Sequence, residues 1–129
     1  MIDKKPIFIS DLHFEHKLWM SELLFWQDEI GTFKHRLEEV VGRFNDHEVL
    51  AKVEKYQNQF IRHLEVIDTL KHDTQSTEHT LAVYAESHIE DVNKEFFGDH
   101  ATLRERVEMQ RKLYGELKVN FLNFLRKVL

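Results

Sequence analysis

Residues 63–88, HLEVIDTLKHDTQSTEHTLAVYAESH, decide how many helices this chain forms. Apolar residues recur at helical spacing on both sides of the polar run HDTQSTEH at 72–79, a pattern that is typical of two helices joined by a turn. If the run is a turn, the chain folds back between Gln75 and Ser76. The stretch therefore predicts two antiparallel helices rather than one long helix.

Such a turn would also pair the four histidines of this stretch, His63 with His88 and His72 with His79. A helix advances about 100° per residue, so two histidines nine residues apart on one helix point in opposite directions. Only one pair can then face the core. The apolar neighbours of His63 and His88 favour that pair, and we expect His72 and His79 to lie on the solvent side.

The rest of the chain continues the helical pattern. Only four Gly and one Pro occur in 129 residues, so helix breakers are scarce. Capping patterns begin at Ser10 and Asn45, and Gly98 followed by Asp99 is typical of one helix ending and another beginning. Apolar stripes with steps of three and four residues predict helices at about 11–44, 46–73, 77–97 and 99–128.

Short connections between successive helices favour antiparallel neighbours. We therefore predict an all-α fold: an up-down-up-down antiparallel four-helix bundle that forms a single domain over residues 1–129. The segment KKPIFIS at 4–10 is expected to be a short extended N-terminal arm lying on the bundle.

Composition limits the functions to consider. Apolar residues make up 42% and charged residues 32%, which is typical of a soluble globular domain. The net charge of −5 argues against a nucleic-acid partner, and the absence of cysteine excludes disulfides and thiolate metal sites. The apolar-rich stretch 18–26 is too short to span a bilayer, which needs about 20 residues. With no signal peptide evident at its start, the chain is expected to be cytoplasmic.

Two segments are apolar on nearly every side, namely the beginning of the first helix and the end of the fourth. An antiparallel bundle would bring these segments to the same end, where a monomer would expose much of their surface. Large exposed apolar patches usually mark interfaces, so we expect a homodimer through helices 1 and 4. Two alternatives are that the N-terminal arm covers this surface or that it forms a ligand pocket.

Polar residues on the inner faces form the second candidate feature. One bundle layer is predicted to hold Glu22, Glu29, His63, His88 and Gln110, so that every helix contributes a polar group. Buried polar groups are costly unless they are paired. A neutral His88 could hydrogen-bond Gln110, and a carboxylate could hold His63, so that the network fixes the helix register. The alternative is a divalent iron, manganese or zinc ion held by the histidines and one or both glutamates, with Gln110 bonded to a ligand.

Glu15 and His16 form a weaker inward pair nearer the other end of the first helix. No glycine-rich phosphate loop, nucleophile motif or H-E-x-x-H motif occurs, so we expect no catalytic activity. The sequence then predicts a non-catalytic module that forms homo-oligomers or binds a partner and contains a buried His/Glu/Gln layer.

A small bundle with inward His and Glu residues resembles the hemerythrin and ferritin-like metal proteins in overall architecture. The resemblance implies a transition-metal site between the helices. At the level of motifs, His100 with Glu105 matches a histidine–carboxylate spacing, and no histidine has a glutamate three residues before it. The site that the resemblance implies is therefore mononuclear or atypical.

Overall fold

A computed structural model describes residues 8–87 and 94–129 of the chain. In these residues it contains three helices: α1 (Ile9–Arg43), α2 (His47–Ser87) and α3 (Lys94–Val128). The all-α prediction is confirmed, whereas the predicted four-helix bundle is wrong. The predicted N-terminal arm lies mostly outside the described residues, and its last two residues, Ile9 and Ser10, already belong to α1.

The error lies in the polar run 72–79, which is helical throughout. No Gly or Pro occurs between residues 47 and 87, so nothing in this run forces the backbone out of a helix. Thr74 is buried, and its hydroxyl donates to the Leu70 carbonyl oxygen at 2.7 Å. Its polarity is thus satisfied inside the helix, and Leu81 resumes the buried stripe. The predicted helix 46–73 and residues 77–87 of the next predicted helix are therefore parts of one helix, α2, whereas residues 94–97 belong to α3.

The predicted boundary at Gly98 and Asp99 is also wrong, since both residues lie inside α3. The Thr102 hydroxyl donates to the Gly98 carbonyl oxygen at 3.1 Å, as it can in the middle of a helix. At the start of α2 the capping side chain is Asp46 rather than Asn45, because its carboxylate accepts the Glu48 backbone N–H at 2.8 Å.

Buried side chains in each helix alternate steps of three and four residues, which is the heptad spacing of a coiled coil. In α1 this seam is unbroken over nine buried residues: Leu12, His16, Trp19, Leu23, Trp26, Ile30, Phe33, Leu37 and Val40. In α3 it contains His100, Leu103, Val107, Gln110, Tyr114, Leu117, Phe121 and Phe124. In α2 it contains Val53, Tyr56, Phe60, Ile67, Leu70, Thr74 and Leu81, with half-buried His63 filling one step.

Helices α1 and α3 run parallel to each other, and α2 runs antiparallel to both. Glutamates spaced seven residues apart on α1 bond cations that are spaced seven residues apart on α3. The pairs are Glu15–Arg104, Glu22–Arg111 and Glu29–Lys118. The Phe33, Phe60 and Phe121 rings, one from each helix, meet in the core with centroids 5.0–5.7 Å apart. The described chain is thus a three-stranded, up-down-up coiled coil.

The dimer surface was predicted because the beginning of the first helix and the end of the last were expected at the same end of the bundle, and this topology shows that they are not. Because α1 and α3 are parallel, the beginning of α1 and the end of α3 lie at opposite ends of the bundle. Many of the apolar residues assigned to that surface are buried in the core, among them Trp19, Trp26, Tyr114 and Phe121. No described helix is long and apolar enough to cross a membrane.

Proline at position 75 tests the continuity of α2. Gln75 is exposed, so the Gln75→Pro change disturbs the backbone rather than the core. Proline inside a helix removes one hydrogen bond and clashes with the preceding turn, so we expect a loss of about 3 kcal/mol or more in the free energy of unfolding. Urea unfolding followed by circular dichroism measures this loss, with Gln75→Ala as the matched control. A proline variant as stable as the alanine variant would mean that a turn lies there after all.

Candidate functional site

Of the residues predicted to form one polar layer, Gln110 and His63 contact each other, whereas Glu22 and Glu29 bond residues of α3. Gln110 meets His63 rather than His88, and its amide Nε2 donates to His63 Nδ1 at 2.8 Å. The turn that would bring His63 to His88 does not exist, because residues 75 and 76 lie inside α2. His88 itself lies outside the described residues. As expected, His72 and His79 are exposed.

His63 is a half-buried, neutral histidine. Its Nδ1 accepts a hydrogen bond, so its other ring nitrogen carries the single proton. Burial lowers the pKa of His63, and the nearby charge of Arg62 lowers it further. His63 and Gln110 therefore form a polar pair, although the predicted partner of Gln110 was His88 and that of His63 was a carboxylate.

Glu22 and Glu29 face cations on α3 rather than His63. Glu22 accepts two bonds from Arg111, at 2.6 and 2.8 Å. Glu29 accepts from Lys118 at 2.9 Å and from the Tyr114 hydroxyl at 2.7 Å. Burial raises the pKa of Tyr114, so the phenol remains a donor. The two predicted ligands therefore belong to the ion-pair seam between α1 and α3.

The richest polar cluster lies at the end of the bundle where α1 and α3 begin. Two buried histidines face each other there, with His16 Nε2 3.0 Å from His100 Nδ1. Their exposed fractions are 2% and 0%. Each outer ring nitrogen meets a carboxylate: His16 Nδ1 lies 2.8 Å from Glu78, and His100 Nε2 lies 2.9 Å from Glu15. We call His16 and His100 the histidine pair.

Further groups hold the two carboxylates in place. Arg104 donates to both oxygens of Glu15, with the Nε bond at 3.0 Å, and exposed His13 bonds to Glu78. Burial of Glu15 acts to raise its pKa, but the hydrogen bonds from Arg104 and His100 outweigh that effect and lower the pKa. The cluster is thus a chain of hydrogen bonds that joins all three helices.

Aromatic rings enclose the histidine pair. The Trp19 ring centroid lies 5.4 Å from that of His16 and 4.9 Å from that of His100, and the Phe97 ring stacks on His100 at 6.3 Å. Burial lowers the pKa of His100, which the Glu15 hydrogen bond partly opposes. A cavity of about 210 Å³ beside His16, lined also by Lys17 and Met20, lies next to the Glu78 end.

Sequence reasoning found one half of this cluster. Glu15 and His16 were predicted to point inward, but His100 and Glu78 were not assigned to them. The predicted turn at 75–76 hid Glu78, and the predicted helix start at Asp99 hid His100. The spacing of the seam could have indicated that both histidines are buried, because Leu12–His16–Trp19 and His100–Leu103–Val107 follow its steps of three and four.

The cluster does not have the geometry of a metal site. Its ring nitrogens and carboxylates point at one another in series, whereas ligands of one ion must converge on a common point. Among the described residues no group of three His, Cys, Asp or Glu side chains is arranged to hold a metal ion. No protein-family model, curated protein or solved structure matches the chain. The resemblance to hemerythrin and ferritin-like bundles is therefore unsupported.

The lowered pKa of His63 makes a pH prediction. Below pH 6.5 the unfolded chain protonates this residue while the folded chain resists, so the folded state binds fewer protons and loses stability as the pH falls. In His63→Leu this part of the loss disappears. Urea unfolding between pH 7.5 and 5 should show a shallower acid decline for this variant than for wild type. Exposed His72→Gln is the control, and parallel curves for wild type and His63→Leu would contradict the prediction.

Proposed function

We propose that this protein is a non-catalytic helical interaction module that associates with further copies of itself. The buried polar groups support a structural role, because the histidine pair, His63, Gln110 and Glu29 all have partners within the chain. What remains available for function is the surface. Two apolar features there fit each other in shape.

The first feature is a ridge on α1, formed by Phe14, Leu18 and Phe25. These side chains are 61%, 48% and 58% exposed, although all three are large and apolar. At 100° per residue they fall within an arc of about 40°, on the side of α1 that faces away from the core. The ridge is about 16 Å long at 1.5 Å per residue. Exposed aromatic side chains aligned in this way are the observation that carries the proposal.

The second feature is a groove between α2 and α3, formed by Val66, Met109 and Leu113 over the buried Leu70. Its volume is about 520 Å³, and the three rim residues are 45–55% exposed. Charged pairs border the seam between α1 and α3. The groove has apolar side chains on its rim, with Glu65 and the Arg106–Asp73 ion pair beside them. In coiled coils, apolar residues beside the core seam favour the packing of an additional helix.

The ridge of one copy fits the groove of the next. Side chains of one helix pack as a ridge into the groove between two others, which is the common geometry of helix packing. Glu22 beside the ridge is already bonded to Arg111, and Arg106 at the groove is paired with Asp73, so the proposed contact rests on apolar packing rather than on charge. The second copy would supply its α1 as a fourth helix for this bundle.

The positions of the ridge and the groove allow the association to continue beyond two copies. In a three-helix bundle the outer face of one helix lies opposite the groove between the other two, so ridge and groove are on opposite sides of the molecule. A ridge-to-groove contact is therefore heterologous and leaves one ridge and one groove free at the ends. Assemblies should then grow past the dimer as the protein concentration rises.

Two charge substitutions test the proposal. Phe25→Glu removes the ridge, and Leu113→Glu removes the groove, because a charge buried in an apolar interface is costly. Each variant alone should be monomeric by light scattering at concentrations where wild type assembles. An equimolar mixture should form a one-to-one dimer and grow no further, since only one intact ridge and one intact groove can meet.

The control is Val119→Glu on α3, which replaces a side chain that is 59% exposed and lies outside the groove. It should assemble as wild type does. Monomeric wild type at high concentration would overturn the proposal. Assembly that stops at a dimer, or that survives Leu113→Glu, would overturn the ridge-to-groove contact.

A further inference from the structure

The hydrogen bonds of the histidine pair fix how many protons it holds. Three contacts run in series: Glu78 to His16, His16 to His100, and His100 to Glu15. Each contact needs one proton, and an ionised carboxylate can only accept. Both outer ring nitrogens must therefore carry a proton, and a third proton must lie between the rings.

Three protons on four ring nitrogens amount to one imidazolium and one neutral imidazole. With only two protons, one of the three contacts would bring two acceptors together. With four protons, two N–H groups would oppose each other at 3.0 Å, and two positive rings would be buried side by side. The geometry thus favours a single positive charge shared by the pair.

The charges around the histidine pair also favour one shared proton between the rings. Glu15 and Glu78 bring two negative charges, and Arg104 brings one positive charge. Counted over these directly bonded groups, one proton on the pair makes the formal sum zero. Lys17 is exposed and lies in the wall of the neighbouring cavity, where solvent screens its charge.

We propose that His16 and His100 hold one shared proton between two carboxylates, and that a second proton, taken from solvent in mildly acidic conditions, loosens the end of the bundle where α1 and α3 begin. The pair is then a pH-sensitive latch between these helices, and it contains none of the ridge or groove residues named above.

Every described helix packed against the pair presents a titratable or charged group to it. On α1 these are His13, Glu15 and Lys17, on α2 Glu78, and on α3 Arg104. His13 is exposed and bonds Oε2 of Glu78, whereas His16 bonds Oε1, so His13 lies outside the contact between the buried rings. Only a second proton on the pair itself puts two donors face to face.

This proton count predicts how the stability contributed by the histidine pair depends on pH. Well below pH 6.5 the two histidines of the unfolded chain bind two protons, and well above it they bind none. The folded pair binds one for as long as its three contacts are intact. Stability contributed by the pair therefore falls on both sides of about pH 6.5. Two ordinary buried neutral histidines would lose stability on the acid side alone.

The test compares wild type with His16→Leu/His100→Leu. Leucine keeps the seam apolar, and Glu15 and Glu78, which are 29% and 32% exposed, can turn to solvent. Urea unfolding from pH 5 to 8.5 gives the ratio of wild-type to variant folding constants. We expect this ratio to peak near pH 6.5 and to fall by up to about tenfold per pH unit on either side, since one proton separates the states.

Two more measurements complete the design. Long-range ¹H–¹⁵N spectra of the ring nitrogens in wild type should show three attached protons on the pair at pH 7, and they require no variant. Amide exchange, corrected for its intrinsic pH dependence, should rise at residues 97–104 between pH 7 and 5 in wild type and in His72→Gln, but not in the double leucine variant.

A ratio that falls only on the acid side, or two ring protons at pH 7, would overturn the shared proton. Unchanged amide exchange at residues 97–104 in wild type as the second proton binds would overturn the latch. If the double variant does not fold, the ring-nitrogen count and the exchange of wild type still decide both points.

Discussion

The seam of buried side chains at alternating steps of three and four is the constraint on which the rest of this structure depends. It runs through all three helices and sets which residues share a level. Because the seam of α1 lies beside that of α3 in parallel, the glutamates at 15, 22 and 29 each find a cation on α3. The ion pairs follow from the seam, and being partly exposed they add little stability of their own.

Polar residues inside the seam restrict the packing further. Apolar side chains such as Phe33 and Leu37 tolerate small shifts against their neighbours. His63 obtains its hydrogen bond only where the Gln110 amide reaches its Nδ1. The histidine pair is stricter, since it needs a carboxylate from α1 and another from α2 at its two ends. A slipped register would leave these groups buried without partners, which costs more than the correct pairs contribute. We infer that these contacts specify alignment more than they add stability.

The sequence predicted the helical class, most apolar core positions and the inward side of Glu15 and His16. It could not give the helix count, because polar residues on the outer face of a helix have the composition of a loop, and Thr74 conceals its hydroxyl by bonding Leu70. The extra turn at 75–76 reversed the last helix and hid Glu78, and the misplaced boundary at 98–99 hid His100. The extra turn also hid the partners of Glu22 and Glu29 on α3, so that these two carboxylates looked like free ligands. Local pattern finds buried faces, but partners depend on topology, which one misplaced turn changes.

The latch and the ridge lie on the same stretch of α1. Phe14 stands between His13, which bonds Glu78, and Glu15, which bonds His100 and Arg104. The first turns of α1 are held to α2 and α3 largely through these contacts, since the apolar cluster there is small, with Leu12 and Leu81 as its buried members. If a second proton loosens this end, Phe14 loses the fixed position from which it projects, while Phe25 stays anchored beside Trp26 in the main core. The groove, at the level of Met109 and Leu113, is built on that main core as well. Acid would then weaken the association through the ridge and leave the groove unchanged, so proton uptake and self-association would be linked through α1 alone.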